Sequence, residues 1–383
     1  MHPTSAKRFL FLQYETALGT AVNSTPVFTA LRKSRPDALI AVACSGIPFE
    51  LLKENPSIDV IYQTPHPLQG FLATFKYFVR HRREFSLGYD YVVLDSGNNR
   101  FLYSLLAWLS GVRRRVGFVH SKNLLHEAMT YDRSLSIIAN NLRLVQHFTD
   151  LPQLEEPKMF FSKSDLEWVR TFLHEHNINP NRPILAFQTQ TSGGQPNQRY
   201  EDRFAAVSDA AMEQREAQSI FIGSKAEAAR VNSLLGRLRH RGISAVGETN
   251  LSRLAALLSQ CDLLVTLDTG TMHVGRTVGV PMVVIAPASN PTFQWLPRDD
   301  LRYLILIRDQ IECARCQRNF CSHRSCMDQI AVSEVVEAIK KQLNDFPPSP
   351  KMRKSRASQR LVDCNSNPTV IFAQAVTRDG DAS

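Results

Sequence analysis

The 383 residues contain no apolar run that approaches the ~20 consecutive residues needed to cross a bilayer. The longest, Phe101 to Val112, is interrupted by Ser104, Ser110 and Gly111 and reads as a buried helix. A secretion signal is missing too: Met1 to Lys7 lacks the charged and apolar regions, and Phe9 to Leu12 is too short to supply one. A cytoplasmic location is therefore expected, with a peripheral contact at the inner face of the cell membrane as an addition to it. No Walker loop, helix-turn-helix or aromatic RNA platform is found, so no nucleic-acid partner is expected despite the net charge of +9. Residues 347–383 carry six basic and three acidic groups, which leaves a modestly basic body suited to an anionic substrate or membrane face.

What is present is the composition of a soluble globular protein, 43% hydrophobic and 21% charged, over a length that accommodates two domains. The organising stretch is Leu263 to Ala286. A branched apolar run stops at Asp268, Thr269-Gly270-Thr271 turns, and a helix-length segment leads through Gly279 and Pro281 into Met282 to Ala286. That is the strand, turn, helix, strand unit of a parallel sheet. At such a turn the first helix amides attract an anion, typically phosphate. Gly270 admits close approach of a ligand, Thr269 and Thr271 cap or donate, and His273 lies in the first helical turn. A capped helix with nothing bound is the other reading.

Asp268-Thr269-Gly270 with His273, then Gly279-Val280-Pro281, Pro291 and Trp295-Leu296-Pro297, resembles the nucleotide-sugar signature of glycosyltransferase family 9, the heptosyltransferases of lipopolysaccharide core synthesis. The wider pattern spans residues 7–340. The resemblance implies an α/β fold of GT-B type, two facing Rossmann-like doubly wound domains. Residues 1–160 would form the acceptor-side domain, 161–346 the nucleotide-sugar donor domain, and 347–383 a disordered basic tail. It also implies transfer of a heptose or related sugar, with inversion, from an ADP- or other nucleotide-sugar donor to a lipopolysaccharide core or similar glycan acceptor. No cofactor is required for that catalysis.

Two departures from the family stand out. Arg8 to Tyr14 reads as the first strand, and the turn after it carries Gly19-Thr20 where the family has Gly-Asp, whose acid serves as catalytic base. A threonine hydroxyl cannot take a proton as a carboxylate does. Glu15 is then either the substitute base or a solvated turn residue. In the second domain Pro183 to Gln188 runs into the polar loop Thr189 to Asn197, and Gln198 stands where the family lysine meets the donor phosphates. Arg199 supplies the cation, or backbone amides carry that contact. Glu227, after the strand Ser219 to Gly223, matches the family's donor-ribose position, with Gly223 a further donor-binding candidate; an acid there also suits a first helical turn. Loss of the acid at Thr20 and the lysine at Gln198 keeps open a second function, a catalytically impaired nucleotide-sugar-binding relative.

Further signals are local. Leu68 to Phe85 is amphipathic and basic, a core helix with a solvated face or a segment for an anionic membrane or acceptor. Tyr89 to Asp95 is a strand ending in an acid at the expected acceptor edge. Ser164 to Trp168 opens a helix with a serine cap, and Val332 to Leu343 is a last helix expected to pack back on the first domain. Cys313, Cys316, Cys321 and Cys326 form the densest local cluster, readable as a structural zinc or iron site or as free thiols.

Overall fold

In the computed structural model, residues 7–98, 100–118, 123–149, 155–191, 201–289, 294–297, 300–316, 318, 321–362 and 368–372 are described. The chain forms two compact units, Met1–Glu156 with Asn365–Ser383, and Pro157–Cys364. Strands run β1 (Arg8–Gln13), β2 (Leu39–Cys44), β3 (Val60–Gln63), β4 (Tyr91–Leu94), β5 (Arg114–Phe118) and β6 (Glu127–Met129). They continue β7 (Phe161–Ser162), β8 (Ile184–Gln188), β9 (Gln218–Ile222), β10 (Gly242–Ser244), β11 (Leu263–Leu267), β12 (Met282–Ile285), β13 (Tyr303–Leu306), β14 (Leu361–Val362) and β15 (Thr369–Phe372).

The first unit's sheet has the order β15-β3-β2-β1-β4-β5-β6, and the second unit's β10-β9-β8-β11-β12-β13. Each pairing in these sheets is parallel. Apart from β15, both follow the doubly wound order 3-2-1-4-5-6. Helices on both faces explain why the strands are apolar throughout rather than alternating. Leu10, Leu12 and Tyr14 join one core cluster with Phe78 and Leu106, while Phe9 and Phe11 meet Phe148 and Phe28 on the other face.

In this topology the chain leaves β1 towards β2 and arrives at β4 on the opposite side, so the carboxyl ends of β1 and β4 bound a crevice. The ends of β8 and β11 do the same in the second unit. Gly279, at φ +71, ends the helix Gly270–Val278 in the left-handed region that glycine tolerates, and the chain turns sharply into β12.

Two expectations are corrected. The cap of the helix Lys163–Glu175 is Ser162, which forms a capping box with Asp165; Ser164 lies inside the first turn. The helix Val332–Asp345 buries Val335, Val336, Ile339 and Leu343 in the second unit's own core. The stretch after Phe346 is not, as a whole, a disordered tail. Pro350–Ser358 is a helix whose Arg353 is buried, β14 pairs with β7, and β15 extends the first unit's sheet beside β3. Its arginines meet protein groups: Arg353 pairs with Asp262, Arg356 donates to the carbonyls of Ser259 and Cys261, and Arg360 to that of Thr277.

Candidate active site

In the second unit, β8 pairs with β9 on one side and β11 on the other, with Gln188 opposite both Ile222 and Thr266. Their carboxyl ends therefore deliver Gln188 to Thr191, Gly223 and Asp268 to Thr271 to one edge. Polar side chains accumulate here under cover of the core. Gln188 Oε1, Thr189 Oγ1, Thr191 Oγ1, Thr269 Oγ1 and His273 Nδ1 are all buried without a hydrogen-bond partner. Each such group costs about 1–3 kcal/mol if nothing satisfies it, so five at one sheet edge mark a polar binding site rather than packing.

Thr269 precedes the helix Gly270–Val278 but its side chain does not cap it, leaving that task to another group. His273, 4% exposed, has its ring edge-on to Trp295 at 6.3 Å between centroids. Burial, with Arg276 adding to it, pushes His273 down to about 3, so at neutral pH it is an uncharged hydrogen-bonding imidazole and not an acid. Burial likewise pushes Asp268 up to about 6. A carboxylate there is ionised only above that value. Glu227 closes a capping box with Ser224 beside Gly223, and its other oxygen accepts from Gln188 Nε2 at 3.4 Å. It is thus both a helix cap and a wall of this edge. Gln198 and Arg199 lie outside the described residues.

The first unit carries the second constellation. Asp95, following β4, accepts from Gln13 Nε2 at 2.8 Å, Asn98 Nδ2 at 2.8 Å, and the amides of Gly97 and Asn98 at 3.0 and 3.1 Å. Four donors satisfy it. Glu15, following β1, is 4% exposed and neither carboxyl oxygen meets a hydrogen-bond partner. Burial first, then the Asp95 charge, holds Glu15 well above the usual carboxylate range. The solvated-turn reading of Glu15 is excluded, because β1 and the Ser96–Asn98 turn enclose it.

Thr20 shares that enclosure. A Cβ built on Gly97 would lie 2.8 Å from both Glu15 Cγ and Thr20 Cγ2, so the two side chains converge over this one glycine. Glu15 thus brings a carboxyl to the same glycine that the Thr20 side chain contacts. Gly97→Ala should cost about 1–3 kcal/mol through this collision and displace Glu15; a thermal melt within 1 °C of wild type would contradict the contact.

A family model described as "Glycosyltransferase family 9 (heptosyltransferase)" matches residues 79–326, well over half of the chain. The chain belongs to glycosyltransferase family 9. It is a glycosyl-transferring enzyme with the GT-B type fold. It is similar to lipooligosaccharide heptosyltransferase 2 of Campylobacter jejuni, 23% identical over 87% of this chain and 98% of that protein. Among solved structures, a family 9 glycosyltransferase of Veillonella parvula gives a TM-score of 0.77 at 20% identity, over 90% of this chain and 99% of that one. An ADP-heptose lipopolysaccharide heptosyltransferase II of Escherichia coli gives 0.68 at 19% identity, over 88% and 99%.

Within this family 9 chain the cysteines form no metal site that the structure supports. Cys313, Cys316, Cys321 and Cys326 are free thiols, and no three His, Cys, Asp or Glu side chains among the described residues are gathered to hold an ion. Cys326 lies in the hydrophobic core with Met327 and Ile330, and burial, with Cys313 and Cys321 adding to it, raises its thiol above the usual range. No helix among the described residues is long and apolar enough to cross a membrane. Reading the sequence alone missed Gln188, Thr189 and Thr191 as individual site residues, and Asp95 as the charge that acts on Glu15. Their only signal was position, just past the end of a buried strand.

Proposed function

We propose that this enzyme transfers a heptose from an ADP-linked donor to a lipopolysaccharide core acceptor, with inversion at the anomeric carbon. The observation that carries this reading is the set of buried, unpartnered polar atoms at the ends of β8 and β11, beside an uncapped helix start. The leaving diphosphate develops negative charge as the sugar departs, and preorganised amides and hydroxyls stabilise it there. Neutral His273 donates or accepts without being titrated. Glu15 takes the acceptor hydroxyl's proton as the new C–O bond forms and the bond to the diphosphate breaks. Support for the donor and acceptor classes comes from the heptosyltransferases to which the chain is similar.

Saturating ADP-heptose at about 100 times its dissociation constant stabilises the binding state by about 2.7 kcal/mol. For a unit of this size the melting temperature should rise by roughly 5–10 °C, and Asp268→Ala should abolish most of the rise. A wild type that responds to neither ADP nor ADP-heptose would overturn the donor assignment. A full response with no transfer to any core acceptor would instead favour the catalytically impaired relative.

A further inference from the structure

We propose that the outward face of three helices in the first unit, Phe71–Arg80, Arg82–Gly88 and Phe101–Leu109, docks on an anionic lipid bilayer. Large apolar side chains lie exposed on these helices. Of the ten large hydrophobic side chains exposed among the described residues, seven fall between Leu68 and Trp108. Leu72 is 71% exposed and Leu87 67%. A soluble surface rarely concentrates such groups without a partner.

These residues share a side of the first unit. Tyr77, Phe78 and Phe85 from the first two helices and Tyr103, Leu106 and Leu109 from the third all enter one core cluster on the same face of the sheet. The helices consequently turn their opposite faces the same way. Leu72, Lys76, Val79, Arg80 and Arg83 follow one another at helical spacing along the first two. Phe101 and Trp108 do so on the third, and Arg82 joins the two by placing its guanidinium over the Trp108 ring at 5.4 Å while donating to the Trp108 and Leu109 carbonyls.

Charge selects the occupant. Residues 68–118 hold eight Lys or Arg against three acids. Of the three acids, Glu84 keeps an exposed carboxylate and its charge, which leaves the cations in excess. Glu84 is engaged by His81 and the Tyr62 hydroxyl, Asp90 by the amides of Lys7 and Arg8, and Asp95 is buried. Lys76, Arg80 and Arg83 form no ion pair among the described residues. Exposed aliphatic and aromatic groups interleaved with unpaired cations match the acyl boundary and headgroups of an anionic bilayer. An acidic protein would satisfy the cations but not the spread of Leu72, Val79, Leu87 and Trp108.

The test is co-sedimentation of the full chain with phosphatidylcholine vesicles, with and without phosphatidylglycerol. Binding is expected only to the anionic vesicles, weakening as sodium chloride is raised. Arg80→Ser with Arg83→Ser should weaken it by roughly tenfold or more, as should Leu72→Ser with Val79→Ser. Arg80→Lys with Arg83→Lys should retain it. The melting temperature and the ADP-induced shift of each variant report that the fold and donor site are intact, so failure here is separable from failure of the donor reading. Absence of binding to phosphatidylglycerol, equal binding by the serine variants, or a self-association lost in the Leu72→Ser with Val79→Ser variant without vesicle binding would each overturn the proposal.

Discussion

Glu15→Gln should lower heptosyl turnover by about 10²–10⁴-fold, the usual range for losing a general base, with the ADP-heptose thermal shift retained. The substitution keeps size and shape inside the enclosure of Thr20 and Gly97 and removes only the capacity to ionise. Because burial and the Asp95 charge raise Glu15 above its ordinary value of 4.5, the base form appears only on the alkaline side of that range. The pH profile of kcat should therefore ascend well above the ordinary carboxylate region. Asp95→Asn removes a like charge, so it should move that ascending limb to lower pH. Stability has the opposite sign. An acid whose folded value is raised stabilises the fold below its unfolded value, and the contribution is lost as pH rises through the folded one. Wild type should thus lose melting temperature on the alkaline side, and Glu15→Gln should lose less. Unchanged turnover in Glu15→Gln would remove it as the base.

Arg353→Ala should be the most destabilising single change in the C-terminal segment. Its guanidinium donates through Nε to Asp262 Oδ1 at 2.9 Å, with the two side chains 5% and 3% exposed, and through Nη2 to the Pro180 carbonyl at 3.0 Å. Asp262 in turn accepts from the Ile184 amide at 2.8 Å, so the pair fixes the start of β8, the strand whose far end carries Gln188. Removing one partner leaves a buried charge unpaired, at about 3–5 kcal/mol. For a unit of this size that lowers the melting temperature by roughly 10 °C. Lys351→Ala on the exposed side of the same helix should leave it nearly unchanged. A scanning-calorimetry difference of under about 2 °C between the two variants would show that the segment does not brace the sheet.

Much of this architecture was legible from residues 263–286 alone, because a buried parallel strand must be apolar, must end before its helix, and must turn through residues that leave amides exposed. The same logic located Asp268, Thr269 and His273. It failed for the tail, where composition rich in proline, serine and arginine reads as solvated. Arg353, Arg356 and Arg360 bury their charged ends against one carboxylate and several carbonyls that the local sequence cannot reveal. It failed again for the helices after Leu68, whose periodicity identifies Phe78 as core but does not say that Leu72 and Val79 remain outside.

By itself the sequence determined the family, the doubly wound α/β plan and the turn between Leu267 and its helix, since these depend on strand-length apolar runs and on spacing within one βαβ unit. Only the tertiary structure decided what Glu15 is. Its carboxyl meets Asp95 eighty residues away because β1 and β4 are neighbours in the sheet, and burial between those strands, not any local pattern, removes the solvent that would otherwise have kept it an ordinary acid.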